Sequence, residues 1–291
     1  MVTVFTPTYN RAYIIDALYQ SLLRQTDKYF EWLVVDDGST DGTEAYFKDV
    51  LSRENPFSVR YIKQENGGKH RAINRAVPLA KGELFFIVDS DDYLTEDAIE
   101  KLNIWKQTLP ENVEFCAISG ARGYSKEEYV GSVYAKADYI DLKSTERKNC
   151  GIYGDKAEAW FTDVLRKYPF PEFPGEKFVT EATVWDAMAR DGYQIRYFMD
   201  IIYICDYLED GLTKNMDKIW KENPKGVGAW AKVELENYSS GFRKRAKIAY
   251  QYYCIERKKK PWHEMAHDIG MSGYEFFAAV IASKIYLDMK K

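Results

Sequence analysis

The chain has 291 residues, 46% of them hydrophobic and 30% charged. That is enough to bury a sizeable core, and it excludes a disordered, collagen-like or low-complexity protein. The net charge of −4 hides a polarity: residues 1–213 carry 25 basic and 36 acidic side chains, whereas 214–291 carry 16 basic and 9 acidic.

Val2 to Phe5 reads as a first strand, followed by a helical apolar face of Ile14, Ile15, Leu18, Leu22 and Leu23. Trp32 to Val35 is a buried strand, and Asp41 with Glu44 three residues later is a capping pair opening a helix. A third strand (59–62), a third helix (70–80), a fourth strand (84–88), a helix from about 95 to 108 and a fifth strand near 115–119 continue the alternation. Strands separated by helices of this length predict right-handed crossovers and a mostly parallel α/β sheet, with ligands beyond the carboxyl ends of the strands. Residues 121–155 lack a strong period and suggest an irregular excursion with a hairpin. Tyr168-Pro-Phe-Pro-Glu-Phe-Pro-Gly175 must be an ordered loop, because three prolines remove donors and fix the backbone. A short helix (181–190) and a strand (194–205) follow, and after Lys214 the pattern is helical. Ser272 and Glu275 predict a capping box for a last helix whose apolar face is Phe276, Phe277, Val280, Ile281 and Ile285.

No apolar run reaches the ~18 residues of a membrane span, and the strand-like start leaves no room for a signal peptide, so a soluble cytoplasmic protein is expected. Cys116, Cys150, Cys205 and Cys254 are widely spaced and read as core thiols rather than a disulfide scaffold or zinc ribbon.

The chemistry concentrates at predicted strand ends. Phe85-Phe86-Ile87-Val88 runs into Asp89-Ser90-Asp91-Asp92, three carboxylates in four positions. Like charges repel and buried carboxylates need partners, so a hard divalent cation, Mg²⁺ or Mn²⁺, fits there as well as a solvated helix-capping turn does. The second strand ends similarly in Asp36-Asp37-Gly38-Ser39-Thr40-Asp41. The first ends in Thr6-Pro7-Thr8-Tyr9-Asn10-Arg11, with Tyr9 able to stack on a base. The third leads into Glu65-Asn66-Gly67-Gly68-Lys69-His70-Arg71, where glycines allow close backbone approach and cations can face phosphate. Together these describe a nucleotide diphosphate pocket.

In this order PTYNR, VVDDGSTDGT, ENGGKHRAIN and DSDD resemble the family 2 glycosyltransferases of the GT-A fold, strongly over residues 1–120 and more weakly to about 215. The resemblance implies an inverting, Mn²⁺- or Mg²⁺-assisted transfer of a hexose or N-acetylhexosamine from a nucleotide diphosphate donor, a UDP sugar above all, to a glycan or lipid-linked acceptor in bacterial surface polysaccharide assembly. By position, Tyr9 stacks on the uracil and Asp37 binds the base, with Thr8 in the base pocket and Lys69 and Arg71 at donor contacts. Asp89 faces ribose and sugar, and Asp91, with Asp89, holds the metal. The expected organisation is a catalytic domain over 1–213, in which residues 1–120 bind the nucleotide and 121–213 the acceptor, and a helical extension over 214–291. Many relatives place the catalytic base in a Glu-Asp pair at a helix start. Here Thr180-Glu181-Ala182 makes Glu181 the expected base, with Asp186 a poorer candidate, or else leaves a noncatalytic sugar-nucleotide or glycan-binding protein.

His263-Glu264-Met265-Ala266-His267 matches a zinc peptidase pattern but lacks an evident third ligand, so surface helix residues are expected. Gly226-Val227-Gly228-Ala229-Trp230-Ala231 follows no strand and reads as a helix start rather than a dinucleotide fingerprint. Arg243-Lys-Arg245 and Arg257-Lys-Lys-Lys260 read as a solvated helical face, with peripheral contact to anionic lipid or a lipid diphosphate as the alternative. No nucleic-acid partner is expected, since no recognition motif accompanies the charge.

Overall fold

The alternating pattern folds as β1 (Val2–Thr8), α1 (Asp16–Leu23), β2 (Phe30–Asp36), α2 (Thr43–Ser52), β3 (Ser58–Lys63), α3 (Lys69–Ala76), β4 (Leu84–Ile87), β5 (Tyr93–Leu94), α4 (Ala98–Lys106) and β6 (Phe115–Gly123). β7 (Tyr139–Leu142), β8 (Lys156–Phe161), α5 (Thr162–Leu165), α6 (Ala182–Arg190) and β9 (Gln194–Ile204) follow, then α7 (Met216–Glu222), α8 (Pro224–Asn237), α9 (Phe242–Glu256), α10 (Trp262–Asp268) and α11 (Gly273–Asp288). This computed structural model describes residues 1–205, 216–237 and 241–288. Two compact units emerge, Met1–Pro169 with Asp191–Leu208, and Phe170–Arg190 with Glu209–Lys291. The expected boundary at 213/214 lies outside the described residues.

The first unit is one sheet in the order β3-β2-β1-β4-β8-β6-β9-β5, with β7 on β9. β3, β2, β1 and β4 are parallel, and Thr8 lies opposite Asp36, itself opposite Lys63, so the carboxyl ends of these strands share one edge. β8, a strand the pattern did not reveal, enters antiparallel between β4 and β6, and β6 pairs parallel with β9. Leu18, Leu22, Trp32, Val34, Phe47, Phe86 and Leu102 pack together in the core. Each such buried side chain contributes about 1.5–3 kcal/mol relative to exposure.

Several local expectations change. The third helix ends at Ala76 and tightens into a 3₁₀ turn over Val77–Leu79, because Pro78 has no N–H to continue the ladder. Asp41 Oδ1 does accept from the Thr43 N–H (2.9 Å), but Glu44 reaches Lys63 (2.8 Å) and Lys48 (2.9 Å) instead of closing a capping box. Ser272 Oγ accepts from the Glu275 N–H, yet the Glu275 carboxylate bonds Arg245, so this box is also half formed. On α11 Phe276, Ala279 and the half-buried Val280 face the core, while Phe277, Ile281 and Ile285 are exposed. Cys116 and Cys205 are core thiols, but Cys150 is only half buried and Cys254 is exposed. The 121–155 excursion holds a reversal closed by a Gly123–Tyr129 bridge, the short β7 and a 3₁₀ turn at Arg147–Cys150.

In the second unit, α8 begins where the glycine motif predicted a helix start. The Glu176 carboxylate accepts from the Lys225 and Gly226 N–H groups at 2.9 Å each, satisfying first-turn donors with a negative charge. His263 and His267 are exposed on α10, and among the described residues no three His, Cys, Asp or Glu side chains are grouped to hold a metal.

Candidate functional site

The parallel strands deliver their polar ends to one edge, and cross-strand hydrogen bonds fix the loops there. Asn10, with φ at +54°, donates its N–H to Ser39 Oγ (2.8 Å) and accepts from the Thr40 N–H (2.8 Å), tying the end of β1 to that of β2. Beside it Tyr9 is half exposed. Thr8 is buried, and its Oγ1 has no hydrogen-bond partner among the described residues. A buried orphan hydroxyl is costly unless a ligand completes it.

Asp37 sits deeper than its expected role required. Its carboxylate accepts from Gln64 Nε2 (2.7 Å), Asn66 Nδ2 (3.2 Å) and the Gly67 and Gly68 N–H groups (2.8 and 2.7 Å). It therefore shapes the turn into α3. Gly68, at φ +95° and ψ 159°, adopts a conformation essentially reserved for glycine. Arg71 donates to the Gly67 carbonyl (2.8 Å), closing the turn from the helix side, while Lys69 leaves it toward the acidic cluster.

Three cations meet the three carboxylates after β4. Lys69 Nζ is 2.6 Å from Asp89 Oδ1, Arg11 lies 3.7 Å from Asp91 Oδ2, and Arg122 lies 4.0 Å from both Asp89 Oδ2 and Asp92 Oδ2. Burial raises each carboxyl, but the outcomes differ. Lys69 and Arg122 outweigh burial at Asp89 and hold it below the usual range. Burial and then the neighbouring Asp89 charge push Asp91 upward. Burial and the Asp89 charge push Asp92 up to about 7, against the pull of Tyr203 and Arg122.

Asp92, Arg122 and Tyr203 were not singled out by sequence pattern as a unit. The Tyr203 hydroxyl donates to Asp92 Oδ2 (2.6 Å) and accepts from the Asp89 N–H (3.0 Å), while the Arg122 guanidinium lies 4.2 Å from the Tyr203 ring centroid. β6 and β9 pair Arg122 directly with Tyr203. Asp92 is thus an anchor of the acidic loop rather than an outward ligand. The sequence signal was an arginine at the end of the otherwise apolar Phe115-Cys-Ala-Ile-Ser-Gly-Ala121 run.

Asp89 and Asp91 suit a hard divalent cation: both are oxygen donors, and an incoming positive charge would offset the burial and repulsion that raise Asp91. Two protein carboxylates leave the remaining positions to phosphate oxygens and water, the usual arrangement for Mg²⁺.

Glu181 belongs to the second unit. Its carbonyl accepts from the Val184 and Trp185 N–H groups, so it stands at the N-terminus of α6, as expected, where a negative charge is stabilised.

Comparisons with known proteins give the family and the fold. The chain is 38% identical over 103 residues to glycosyltransferase GlyG of Streptococcus pneumoniae, covering 35% of this chain and 34% of that one. It is also 38% identical over 102 residues to the putative teichuronic acid biosynthesis glycosyltransferase TuaG of Bacillus subtilis, covering 35% and 40%. The match thus spans between a third and two fifths of these curated relatives. Staphylococcus aureus TarS 1–349 in complex with UDP superposes with a TM-score of 0.65 at 19% identity, covering 96% of this chain and 80% of that one. The mannosyltransferase PcManGT from Pyrobaculum calidifontis, in complex with GDP-Man and Mn²⁺, gives 0.54 at 18%, covering 96% and 86%. The fold is the GT-A fold of these structures. The profile described as glycosyl transferase family 2 matches residues 3–159, more than half the chain and the very strands that carry the acidic edge. The chain is therefore a member of glycosyl transferase family 2.

Proposed function

We propose that the chain transfers a sugar, with inversion, from a nucleotide diphosphate donor to an acceptor hydroxyl. The observation that carries this reading is the single strand edge where Tyr9, the orphan hydroxyl of Thr8, the Asp37-shaped glycine turn and the Asp89–Asp91 pair with its surrounding cations come together. UDP in the TarS complex and GDP-Man with Mn²⁺ in PcManGT support a nucleotide sugar and a divalent ion. We favour a UDP-linked hexose or N-acetylhexosamine, and a glycan or lipid-linked acceptor in surface polysaccharide assembly at the cytoplasmic face, in keeping with the name of TuaG.

In this reading Tyr9 stacks on the base, Thr8 completes its hydroxyl on the nucleoside, and Asp89 faces ribose and sugar. Asp37 acts on the base side through the turn it holds. Asp91 with Asp89 would hold Mn²⁺ or Mg²⁺, which neutralises charge on the departing diphosphate. Lys69, Arg71 and Arg122 add fixed positive charge. Glu181, at the start of α6, takes the acceptor proton as the oxygen attacks the anomeric carbon opposite the leaving group. The catalytic reading covers residues 1–213, with 214–291 as a helical extension.

Glu181→Gln is expected to abolish transfer while UDP and Mn²⁺ binding persist; unchanged activity rejects Glu181 as the base. Asp91→Ala is expected to remove metal-dependent donor affinity in calorimetry. Ala182, where many relatives carry aspartate, favours one second reading, a noncatalytic sugar-nucleotide-binding protein. Donor binding with no turnover across UDP and GDP sugars would select it.

A further inference from the structure

α11 carries more apolar side chains than its one buried face can use. Phe276 and Ala279 pack into the second unit's core, while Tyr274 is 91% exposed, Phe277 55%, Ile281 41% and Ile285 56%. Positions 274, 277, 281 and 285 follow the helical period, so these side chains form one outward stripe. Trp262, 47% exposed, packs on Phe277 with ring centroids 6.1 Å apart and extends the stripe beyond the start of α11. Immediately before it, Arg257, Lys258 and Lys259 are exposed, and Lys284 is exposed beside Ile285.

From this juxtaposition we infer that the α10–α11 face docks on a membrane surface bearing anionic lipid headgroups. An apolar stripe with aromatic residues at its end and exposed cations alongside is the chemistry of a helix lying in a bilayer interface. At 16 residues α11 is roughly 24 Å long. No helix among the described residues is long and apolar enough to cross a membrane, so α11 would lie along the interface rather than span it. A second copy of the chain fits less well. Five side chains make a narrow seam beside the roughly 20–30 residues per side of a standard interface, and a symmetric contact would bring like charges together. The inference is independent of the donor site, whose residues lie in the other unit.

The test is co-sedimentation of the full chain with vesicles of phosphatidylcholine and phosphatidylglycerol, against pure phosphatidylcholine. The expected result is binding to the anionic vesicles that weakens with salt, falls at least tenfold in F277S/I281S, and falls about tenfold in K258E/K259E. All four positions are exposed, so folding should survive; circular dichroism and UDP affinity check this. Three results would overturn the inference: no binding to anionic vesicles, binding unchanged in F277S/I281S, or light scattering of a dimer that this variant converts to monomer, which would give the stripe to a second copy.

Discussion

Tyr203→Phe tests whether the acidic loop is held from beneath. The substitution keeps the ring, and with it the edge contact to Phe86 and the Arg122 stacking, and deletes only the hydroxyl between the Asp89 N–H and the Asp92 carboxylate. A hydrogen bond to a charged buried group contributes about 1.5–3 kcal/mol, and the orphaned N–H adds about 1. Asp92 can limit the loss by protonating. It titrates at about 7, so near pH 6 the hydroxyl bonds a mostly neutral acid and its removal should cost about 1 kcal/mol. Above pH 8 the wild-type carboxylate is charged and the cost should rise toward 2–3 kcal/mol. The sign follows because losing the Tyr203 donor raises the Asp92 value further, so the variant holds a proton that the wild type has released.

Urea denaturation of wild type and variant in chelator at pH 6 and pH 8.5 measures this directly, and a melting shift of ~2–4 °C per kcal/mol gives a second reading. Because Asp89 is held through its own N–H, donor affinity should fall about tenfold in the same variant, equivalent to about 1.4 kcal/mol. A stability change below about 0.5 kcal/mol at both pH values, the range of ordinary surface substitutions, with unchanged UDP affinity, would refute the anchoring role.

Gly68→Ala should cost about 1–3 kcal/mol, because alanine is strained at φ +95°, and calorimetry should show weaker UDP binding as the Asp37-held turn distorts. Glu31 is buried and accepts from Thr3 Oγ1 (2.7 Å), the Lys81 N–H (2.7 Å) and Arg60 (3.2 Å). Glu31→Gln replaces one acceptor by a donor facing a donor and should lower stability by about 1.5–3 kcal/mol in urea. Glu44, exposed between Lys63 and Lys48, is lowered by them to about 2 from its ordinary 4.5. Its folded value is depressed, so wild type should exceed Glu44→Gln in stability above about pH 4.5 and lose that margin as pH falls toward 2, read as converging urea midpoints.

The strands β1, β2 and β4 were legible because a buried parallel strand announces itself as a short apolar run that gives way to polar residues. The glycine-turn residues were legible for a similar local reason. Arg122 and Tyr203 were not, since they stand 81 positions apart in sequence and only the β6–β9 register sets them side by side. β8 was missed because its Lys156 and Glu158 interrupt the apolar run, although the strand is largely buried. Glu44 met a competitor that local pattern cannot see, Lys63 on the neighbouring strand. On α11 the periodicity named an apolar face, but apolar residues lie on more than one side of this helix, and packing chose Phe276 and Ala279 over Phe277 and Ile281.

The cluster Asp89-Ser-Asp-Asp92 looked in sequence like one acidic patch with one purpose. Its surroundings divide it. Asp89 is kept ionised by Lys69 and Arg122, Asp92 is raised but tied inward by Tyr203, and Asp91 combines a raised value and a like-charged neighbour with Arg11 at 3.7 Å. A divalent ion would therefore gain most at Asp91, and its arrival would relieve repulsion that the folded chain otherwise carries. The same charges explain why the cations cannot be exchanged freely. Lys69→Met would leave Asp89 with Arg122 at 4.0 Å as its remaining ion-pair partner here, raising its titration and weakening the carboxylate meant for ribose and metal alike. Losses in nucleotide and in metal affinity should then appear together, which a purely phosphate-binding lysine would not produce.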